Sequence, residues 1–132
     1  MTMFQSLDYL YTPSRDVAAD VRRYVDDLGG RLVFAIDGMG ARVAMVELTP
    51  TPPRIVLADH LDGDQPILVY RVADLGETRR SLAASGWSEG HALEIPQGPV
   101  VTYVAPGGQR IAIYELRRPG VIDSFEGRRD FG

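Results

Sequence analysis

The sequence predicts an α+β fold made of two similar βαβββ modules, because one order of elements occurs twice along the 132 residues. Each copy runs strand, helix and three strands, the first from Leu7 and the second from Ile67. With a shift of 58 residues, Tyr9 falls on Ile67 and Asp16 on Asp74, each at the matching place in its element. A duplication of this kind predicts two half-barrels with a cleft between them, and the cleft is the expected place of function.

The first copy begins with a strand over 7–11, after which a helix is predicted over 16–28. Apolar side chains recur there at spacings of three and four, which makes one stripe for packing on a sheet. Gly29 and Gly30 supply the left-handed stop that helix ends favour. Three strands follow, at 31–36, 41–48 and 54–58, with the sequence DGMG at 37–40 as the first turn.

The second copy starts with a strand over 67–72. Asp74 and Glu77 have the spacing of a capping box, and Leu75, Thr78 and Leu82 form the buried stripe of the helix that follows. After Gly86, three further strands are predicted at 92–95, 100–105 and 110–116, the last of them after a PGG turn.

These elements predict one domain over 1–132, with a first module at 5–59, a second at 66–116 and a tail at 117–132. The tail is charged, and Phe125 and Phe131 are spaced along it. Isolated aromatic residues in a polar tail have two explanations. The tail either packs on a partner subunit or is partly disordered.

Composition excludes several classes of protein. Hydrophobic content of 45% with 24% charged residues is typical of a globular domain, and the absence of cysteine excludes disulfides and thiolate chemistry. A net charge of −4 argues against nucleic acid as a partner. The apolar runs are strand-sized and no charged leader precedes an apolar stretch, so no membrane association is expected, and the predicted location is cytoplasmic.

Three segments carry a resemblance to a known superfamily: DYLYTPSRDVAADVRRYVDDLGG, ILVYRVADLGETRRSLAASGW and VTYVAPGGQRIAIYEL. Together they resemble the vicinal oxygen chelate proteins, which include glyoxalases, extradiol dioxygenases and bleomycin-resistance proteins. The resemblance covers most of residues 7–116. It implies an open, U-shaped, eight-stranded mixed sheet around a ligand cavity, helices on the outer face, and pairing of subunits into a homodimer.

In the metal-dependent members, ligands come from the first and last strand of each module. The resemblance places these positions at Tyr9, Val56, Ile67 and Ala112 of this chain. Three of the four offer only carbon, so no metal and no cofactor is expected at the standard site. A shifted register would bring in Asp8, Asp59, His60 or Glu115 instead. Two of these would have to point inward together, and a shift of one residue turns a strand side chain to the opposite face.

Alternation along the strands predicts which side chains would line the cavity. Tyrosines, aliphatic residues and arginines dominate the set, which suits a flat or conjugated molecule with an anionic or carbonyl oxygen. The predicted ligand contacts are Tyr9, Tyr11, Ile67, Arg71, Trp87, Arg110, Ala112 and Tyr114. Each of these residues also has a structural explanation that needs no ligand. The tyrosines could be half-buried core residues, Arg71 could form a salt bridge, and His91 could be a solvated loop residue.

The leading hypothesis is therefore a glyoxalase- or bleomycin-resistance-like protein that binds a small organic molecule without a metal, as a sequestering or carrier protein rather than an enzyme. A second hypothesis is a metal-independent enzyme that transfers a proton in the same cavity, with His91 or Tyr9 as acid or base. A third is a metal-dependent lyase or dioxygenase with displaced ligands. The three make different predictions for bound metal, for the effect of chelators and for turnover.

Overall fold

A computed structural model describes residues 3–38 and 40–131 of the chain. The sheet strands are β1 Phe4–Pro13, β2 Arg31–Gly38, β3 Ala41–Glu47, β4 Arg54–Ala58, β5 Ile67–Val72, β6 Ser88–Ile95, β7 Gly98–Val104 and β8 Arg110–Tyr114. The helices are α1 Val17–Arg22, continued by a π-helical turn over Arg23–Asp27, α2 Leu75–Ala84 and α3 Val121–Phe125. None of the helices in these described ranges is both long and apolar enough to cross a bilayer.

The strands form one open, mixed, eight-stranded sheet in the order β2-β3-β4-β1-β5-β8-β7-β6. β1 pairs with β4 in parallel, and β5 pairs with β8 in parallel, while the outer pairs in each half are antiparallel. Both halves therefore have the same internal order, which the sequence repeat predicts. The predicted α+β class and the eight-stranded mixed sheet are confirmed. The predicted turn at 37–40 includes Met39, which lies outside the described residues.

The chain separates into two compact units. Unit 1 comprises the residues up to Asp8 together with Ile67–Ile122, and unit 2 comprises Tyr9–Pro66 with the residues from Asp123 onward. Each unit thus combines one βαβββ repeat with a segment from a distant part of the chain. β1 is longer than its predicted range of 7–11, and its first half belongs to unit 1 and its second half to unit 2.

In unit 2, α1 packs on one face of the sheet formed by β2, β3, β4 and the second half of β1. Asp16 caps the helix by accepting a hydrogen bond from the Ala19 amide at 3.1 Å. The buried residues of this core are Val17, Val21, Ala35, Ala44, Val46 and Leu57. They alternate along the strands and recur at helical spacing in α1, so sequence periodicity is enough to place them.

In unit 1, α2 packs on the matching face of β5, β8 and β7. Asp74 accepts from the Glu77 amide at 2.9 Å, as the capping-box spacing predicts, and Glu115 accepts from the Leu75 amide at 3.0 Å. The buried residues of this core are Val72, Leu75, Leu82, Val101, Tyr103, Ile111 and Ile113. Phe4 from the start of β1 packs on it, with its ring centroid 4.9 Å from that of Tyr70.

An ion pair ties α2 to the edge strand β6. Arg79 donates to both carboxylate oxygens of Glu89, at 2.8 and 3.0 Å, and the Tyr103 hydroxyl donates to the same carboxylate at 3.0 Å. The hydrogen bond from Arg79 lowers the pKa of Glu89, while burial raises the pKa of Tyr103. Both groups therefore keep, at neutral pH, the ionisation state that this bidentate geometry needs.

In the structure the tail pairs with its own chain. Residues 127–130 lie along the free edge of β2 in the same chain, where Ala35 and Arg129 form a parallel bridge. Phe125 packs edge-on against Phe34, with ring centroids 5.7 Å apart, and Phe131 packs against the α1 core. The tail therefore covers an edge strand of its own chain, a long-range pairing that local sequence pattern does not encode.

Candidate ligand-binding site

In unit 1, the sheet face opposite α2 carries several of the predicted ligand contacts. Val69 pairs with Ala112 and Arg71 with Tyr114 across β5 and β8, so these side chains share one face. Val69, Ala112 and Tyr114 are at most 1% exposed, and Ile67 is 5% exposed. The part of this face around Val69 is thus as deeply buried as the helix-side core, and the cationic side chain of Arg71 stands on the same face.

Four polar side chains meet at this face. The Tyr114 hydroxyl donates a short hydrogen bond to Asp8 Oδ2, and the Ser6 hydroxyl donates to Asp8 Oδ1 at 2.6 Å. Arg71 Nε lies 3.8 Å from Asp8 Oδ2, which makes an ion pair. The partner of Arg71 is a carboxylate, as the salt-bridge alternative predicts, although Asp8 lies far from it in sequence.

The geometry leaves Arg71 with an unused donor. Its Nε is buried and has no hydrogen-bond partner among the residues that the structure describes, because 3.8 Å is too long for a hydrogen bond. The side chain as a whole is 36% exposed, whereas that of Asp8 is 16% exposed. A buried N–H without a hydrogen-bond acceptor destabilises the folded state by about 1–3 kcal/mol. A ligand oxygen that accepted a hydrogen bond from Arg71 Nε would therefore recover this free energy.

In unit 2, Tyr9 and Tyr11 share one face of β1, opposite Arg54 and Val56 of β4. Their ring centroids are 6.3 Å apart, and Tyr9 is 9% exposed. Burial, and in second place the neighbouring phenol of Tyr9, raises the pKa of Tyr11 far above its ordinary value. Tyr11 therefore stays neutral at any physiological pH, which suits it to hydrogen bonding rather than to acting as a base.

The four positions to which the sequence resemblance assigns metal ligands are buried and mostly apolar. Val56 is 7% exposed, Ile67 5% and Ala112 0%, and Tyr9 completes the set. Within the described part of the chain, no group of three or more histidine, aspartate or glutamate side chains is arranged to hold a metal ion. A divalent cation needs several nitrogen, oxygen or sulfur ligands, so the residues at these positions do not fit one.

Trp87 and His91, the two residues that the sequence analysis singled out just before the sixth strand, lie in different surroundings. Trp87 packs against the core beneath α2, on the opposite side of the sheet from Arg71, so its apolar surface is already used within the unit. His91 does not precede β6 but lies within it, beside an irregularity in the β6–β7 register, and its side chain is exposed. Its backbone amide donates to the Thr102 hydroxyl at 2.8 Å.

Arg110 begins β8 and is opposite Val104 of β7, which is 39% exposed. By strand alternation Arg110 shares a face with Ala112 and Tyr114. Leu93, on the neighbouring edge strand β6, is 53% exposed. The outer part of this face is therefore more accessible than the part around Val69.

Sequence reasoning did not identify Asp8 and Ser6 as members of the cluster. Asp8 entered only as an alternative metal ligand beside Tyr9, and Ser6 lies before the predicted start of the first strand. Since 106 residues separate Asp8 from Tyr114, no local periodicity connects them. The available signal was a carboxylate in an otherwise apolar and aromatic strand, which requires a partner when it is buried.

Solved structures with the same arrangement of elements include methylmalonyl-CoA epimerases. The enzyme from Mycobacterium tuberculosis superposes with a TM-score of 0.71 at 22% identity, covering 89% of this chain and 91% of that one. The Streptomyces coelicolor enzyme, in complex with 2-nitronate-propionyl-CoA, has a TM-score of 0.69 at 14% identity, with 86% and 96% covered.

A hypothetical protein from Bacillus halodurans has a TM-score of 0.70 at 16% identity, covering 86% of this chain and 95% of that one. No protein-family model matches the chain, and no curated protein sequence does. At such low identities the structural likeness bears on the fold alone. The chain has the fold of the methylmalonyl-CoA epimerases, which is the vicinal oxygen chelate fold.

Proposed function

We propose that this protein binds a small organic molecule bearing an anionic or carbonyl oxygen, and that it does so without a metal ion. The observation that carries the proposal is the unpaired, buried Nε of Arg71 beside the Asp8–Tyr114 pair. A ligand carboxylate would accept hydrogen bonds from the Arg71 guanidinium, which binds planar oxyanions well. Val69 and Ala112, which are fully buried, lie on the same face of the sheet.

The absence of a metal is part of the proposal and is supported by the chemistry of the side chains. Val56, Ile67 and Ala112 have no lone pairs where relatives place their ligands. Such a site would lack the Lewis acid that polarises vicinal oxygens in glyoxalases and dioxygenases. The positive charge offered to a ligand would then come from the Arg71 guanidinium.

The test compares aromatic carboxylates with their uncharged esters. Benzoate, salicylate and 4-hydroxycinnamate, and the methyl ester of each, are added to the protein, and the thermal midpoint is measured. At a ligand concentration 100 times Kd, binding adds about 2.7 kcal/mol to the free energy of unfolding, so the midpoint rises by several degrees. We expect a rise with at least one carboxylate and a smaller one with its ester.

Two variants make the test specific. Arg71→Met is expected to abolish the rise with carboxylates and Arg71→Lys to retain part of it, since lysine keeps the charge but not the fork geometry. Arg80→Met is the matched control, because Arg80 is an exposed arginine of the same unit that lies on α2. Equal responses of the wild-type chain and Arg71→Met, or of acids and esters, would contradict the proposal.

A second candidate is metal-independent proton transfer, favoured by the Asp8–Tyr114 hydrogen bond beside Arg71 and by the epimerases among the structural neighbours. In this reading Asp8 takes a proton from a carbon next to a carbonyl, the C–H electron pair moves into an enolate, and Arg71 stabilises the enolate oxygen. The test is deuterium uptake by methylmalonyl-CoA in D₂O, followed by mass spectrometry. Uptake that resists EDTA and is lost in Asp8→Asn would favour this candidate over binding alone.

A further inference from the structure

β2 is a terminal strand of the sheet, and its outer edge is covered by the tail through a row of backbone hydrogen bonds. The Gly127 amide donates to the Val33 carbonyl at 2.8 Å, and the Asp130 amide donates to the Ala35 carbonyl at 2.7 Å. The Ala35 amide donates to the Arg128 carbonyl at 2.8 Å. This is the pairing of an added parallel strand, so the edge already functions as a receiver of an extended segment.

Side chains hold the segment on both faces of β2. Phe125 meets Phe34, which is opposite Met45 on the face away from α1. Phe131 packs on the α1 side, where the guanidinium carbon of Arg42 lies 4.9 Å from its ring centroid. The two aromatic anchors therefore straddle the edge, and a segment with a different spacing of aromatic residues would not place both of them.

Charges add to the match between tail and edge. Arg31 donates to Glu126 at 2.7 Å, and the Asp37 amide donates to the Asp130 carboxylate at 2.9 Å. Residues 126–130 are nonetheless exposed, and surface ion pairs of this kind contribute little to stability. Few buried contacts oppose release of the segment, so the tail belongs to the parts of a fold that open before the core does.

We propose that the β2 edge is a strand-receiving surface for residues 120–132 of a second copy of this chain, which take the place of the chain's own tail when that tail is released. The backbone hydrogen-bonding groups of the edge, the packing sites for Phe125 and Phe131, and the charged groups nearby match this segment. An identical tail from another molecule can therefore make the same contacts as the chain's own tail. Exchange of identical elements in this way is an inexpensive route to a dimer. The chain's own tail occupies the β2 edge in preference to the tail of a second copy only because its attachment gives it a high effective concentration there.

The experiment cuts the tail free within the folded protein. A protease recognition sequence is inserted between Pro119 and Gly120, in the exposed stretch before α3, and the chain is cleaved after it has folded. A fluorescein-labelled peptide of residues 120–132 is then added as the stand-in for a second copy's tail, and its anisotropy is followed. We expect saturable binding to the cleaved protein, and at least about tenfold weaker binding to the intact chain, whose own tail competes.

Peptide variants identify the surface. A peptide with Phe125→Ala and Phe131→Ala loses both aromatic anchors. A peptide with Asp130→Pro loses the backbone N–H that donates a hydrogen bond to the Ala35 carbonyl. Each of these two peptides is expected to bind about tenfold more weakly than the parent peptide, or worse. A peptide with Arg129→Lys is the control and should bind as the parent does. Equal binding of all four peptides, or no binding to the cleaved protein, overturns the proposal.

Hydrogen exchange on the intact chain tests tail release without any cut. The Ala35 amide is bonded to the tail, whereas the Ala44 amide lies on β3 in the interior of the sheet. If the tail opens by itself, the Ala35 amide exchanges at least about tenfold faster than buried amides of β3. Exchange of the Ala35 amide at the rate of global unfolding would show a tail that does not leave its seat, and would also overturn the proposal.

Discussion

Gly98, at the start of β7, is a position where a single methyl group should be costly. A Cβ added there would lie 2.1 Å from the Glu115 carbonyl oxygen, a distance that no packed structure tolerates, and its φ of +156° is one that L-residues rarely adopt. The obstacle is backbone, so no side chain can rotate away. We expect Gly98→Ala to lower the free energy of unfolding by about 2–3 kcal/mol, measured by urea denaturation monitored by circular dichroism.

Gly38, at the end of β2, provides the matched control. An added Cβ there would meet nothing within 4 Å, and its backbone φ is outside the left-handed region. Gly38→Ala should therefore change the free energy of unfolding by less than about 0.5 kcal/mol in either direction. If the two substitutions prove equally costly or equally harmless, the close approach of Gly98 to Glu115 does not govern stability at this point.

For individual residues, strand alternation succeeded where a side chain's neighbours lie on adjacent strands. The alternation that groups Ala112 with Tyr114 also groups Val69 with Arg71, and both sets meet on one face in the structure. It could not find Asp8, because the parallel or antiparallel partner of a strand is not encoded by its own periodicity. Nor does alternation place Trp87, which packs against the α2-side core, since a large aromatic residue next to a strand end suits a core as well as a rim.

The N-terminus of α2 is secured by two carboxylates, and one of them makes the stability of the helix depend on pH. Glu115 accepts from Arg117 at 2.5 Å and from the Leu75 amide at 3.0 Å, and these hydrogen bonds, that of Arg117 first, lower the pKa of Glu115. The folded state then binds fewer protons than the unfolded state just below the ordinary pKa. Its contribution to stability is present above that value and is lost as pH falls through the lowered pKa.

Glu115→Gln tests this contribution. At pH 7 the amide oxygen still accepts from Leu75, but the charge is gone, so we expect the free energy of unfolding to fall by about 0.5–1 kcal/mol. Below pH 5 the difference from the wild-type chain should shrink, because the wild-type carboxyl becomes protonated too. Urea titrations at pH 7, 5, 4 and 3.5 give both quantities. Glu77→Gln removes a charge from the same helix turn without affecting the hydrogen bond to Leu75, so it should lower the free energy of unfolding by less at pH 7. If the difference between Glu115→Gln and the wild-type chain stays constant across pH, the pH dependence does not come from Glu115.

Among the elements, those with local end signals were predicted closely and those without were not. Asp16, Asp74 and the glycines after the helices mark ends that the structure reproduces within a residue or two. β1 and β6 extend beyond their predicted ranges because edge and central pairing, rather than their own composition, decides where a strand begins. The tail was missed for the same reason, since its strand exists only through β2.

For the whole molecule, the duplicated sequence pattern predicted the sheet because each repeat must form the same four-stranded half. The pattern is independent of what the site binds, which explains why fold could be predicted further than function. Function depends on a few side chains, and proteins of the same fold can carry different side chains at these positions. Tyr9, Val56, Ile67 and Ala112 illustrate this point, since the sequence resemblance assigns metal ligands to these four positions and three of the four side chains offer only carbon.

Metal content is therefore the most informative whole-molecule measurement. Because three of those four side chains offer only carbon, we expect well under one metal ion per purified chain by elemental analysis, and no loss of ligand binding in excess EDTA. Ligation of a metal by the folded state would raise stability by mass action, so added Zn²⁺ or Mn²⁺ should also leave the thermal midpoint unchanged. One equivalent of an ion retained through gel filtration, with a midpoint that drops on chelation, would show that other side chains have taken over its coordination.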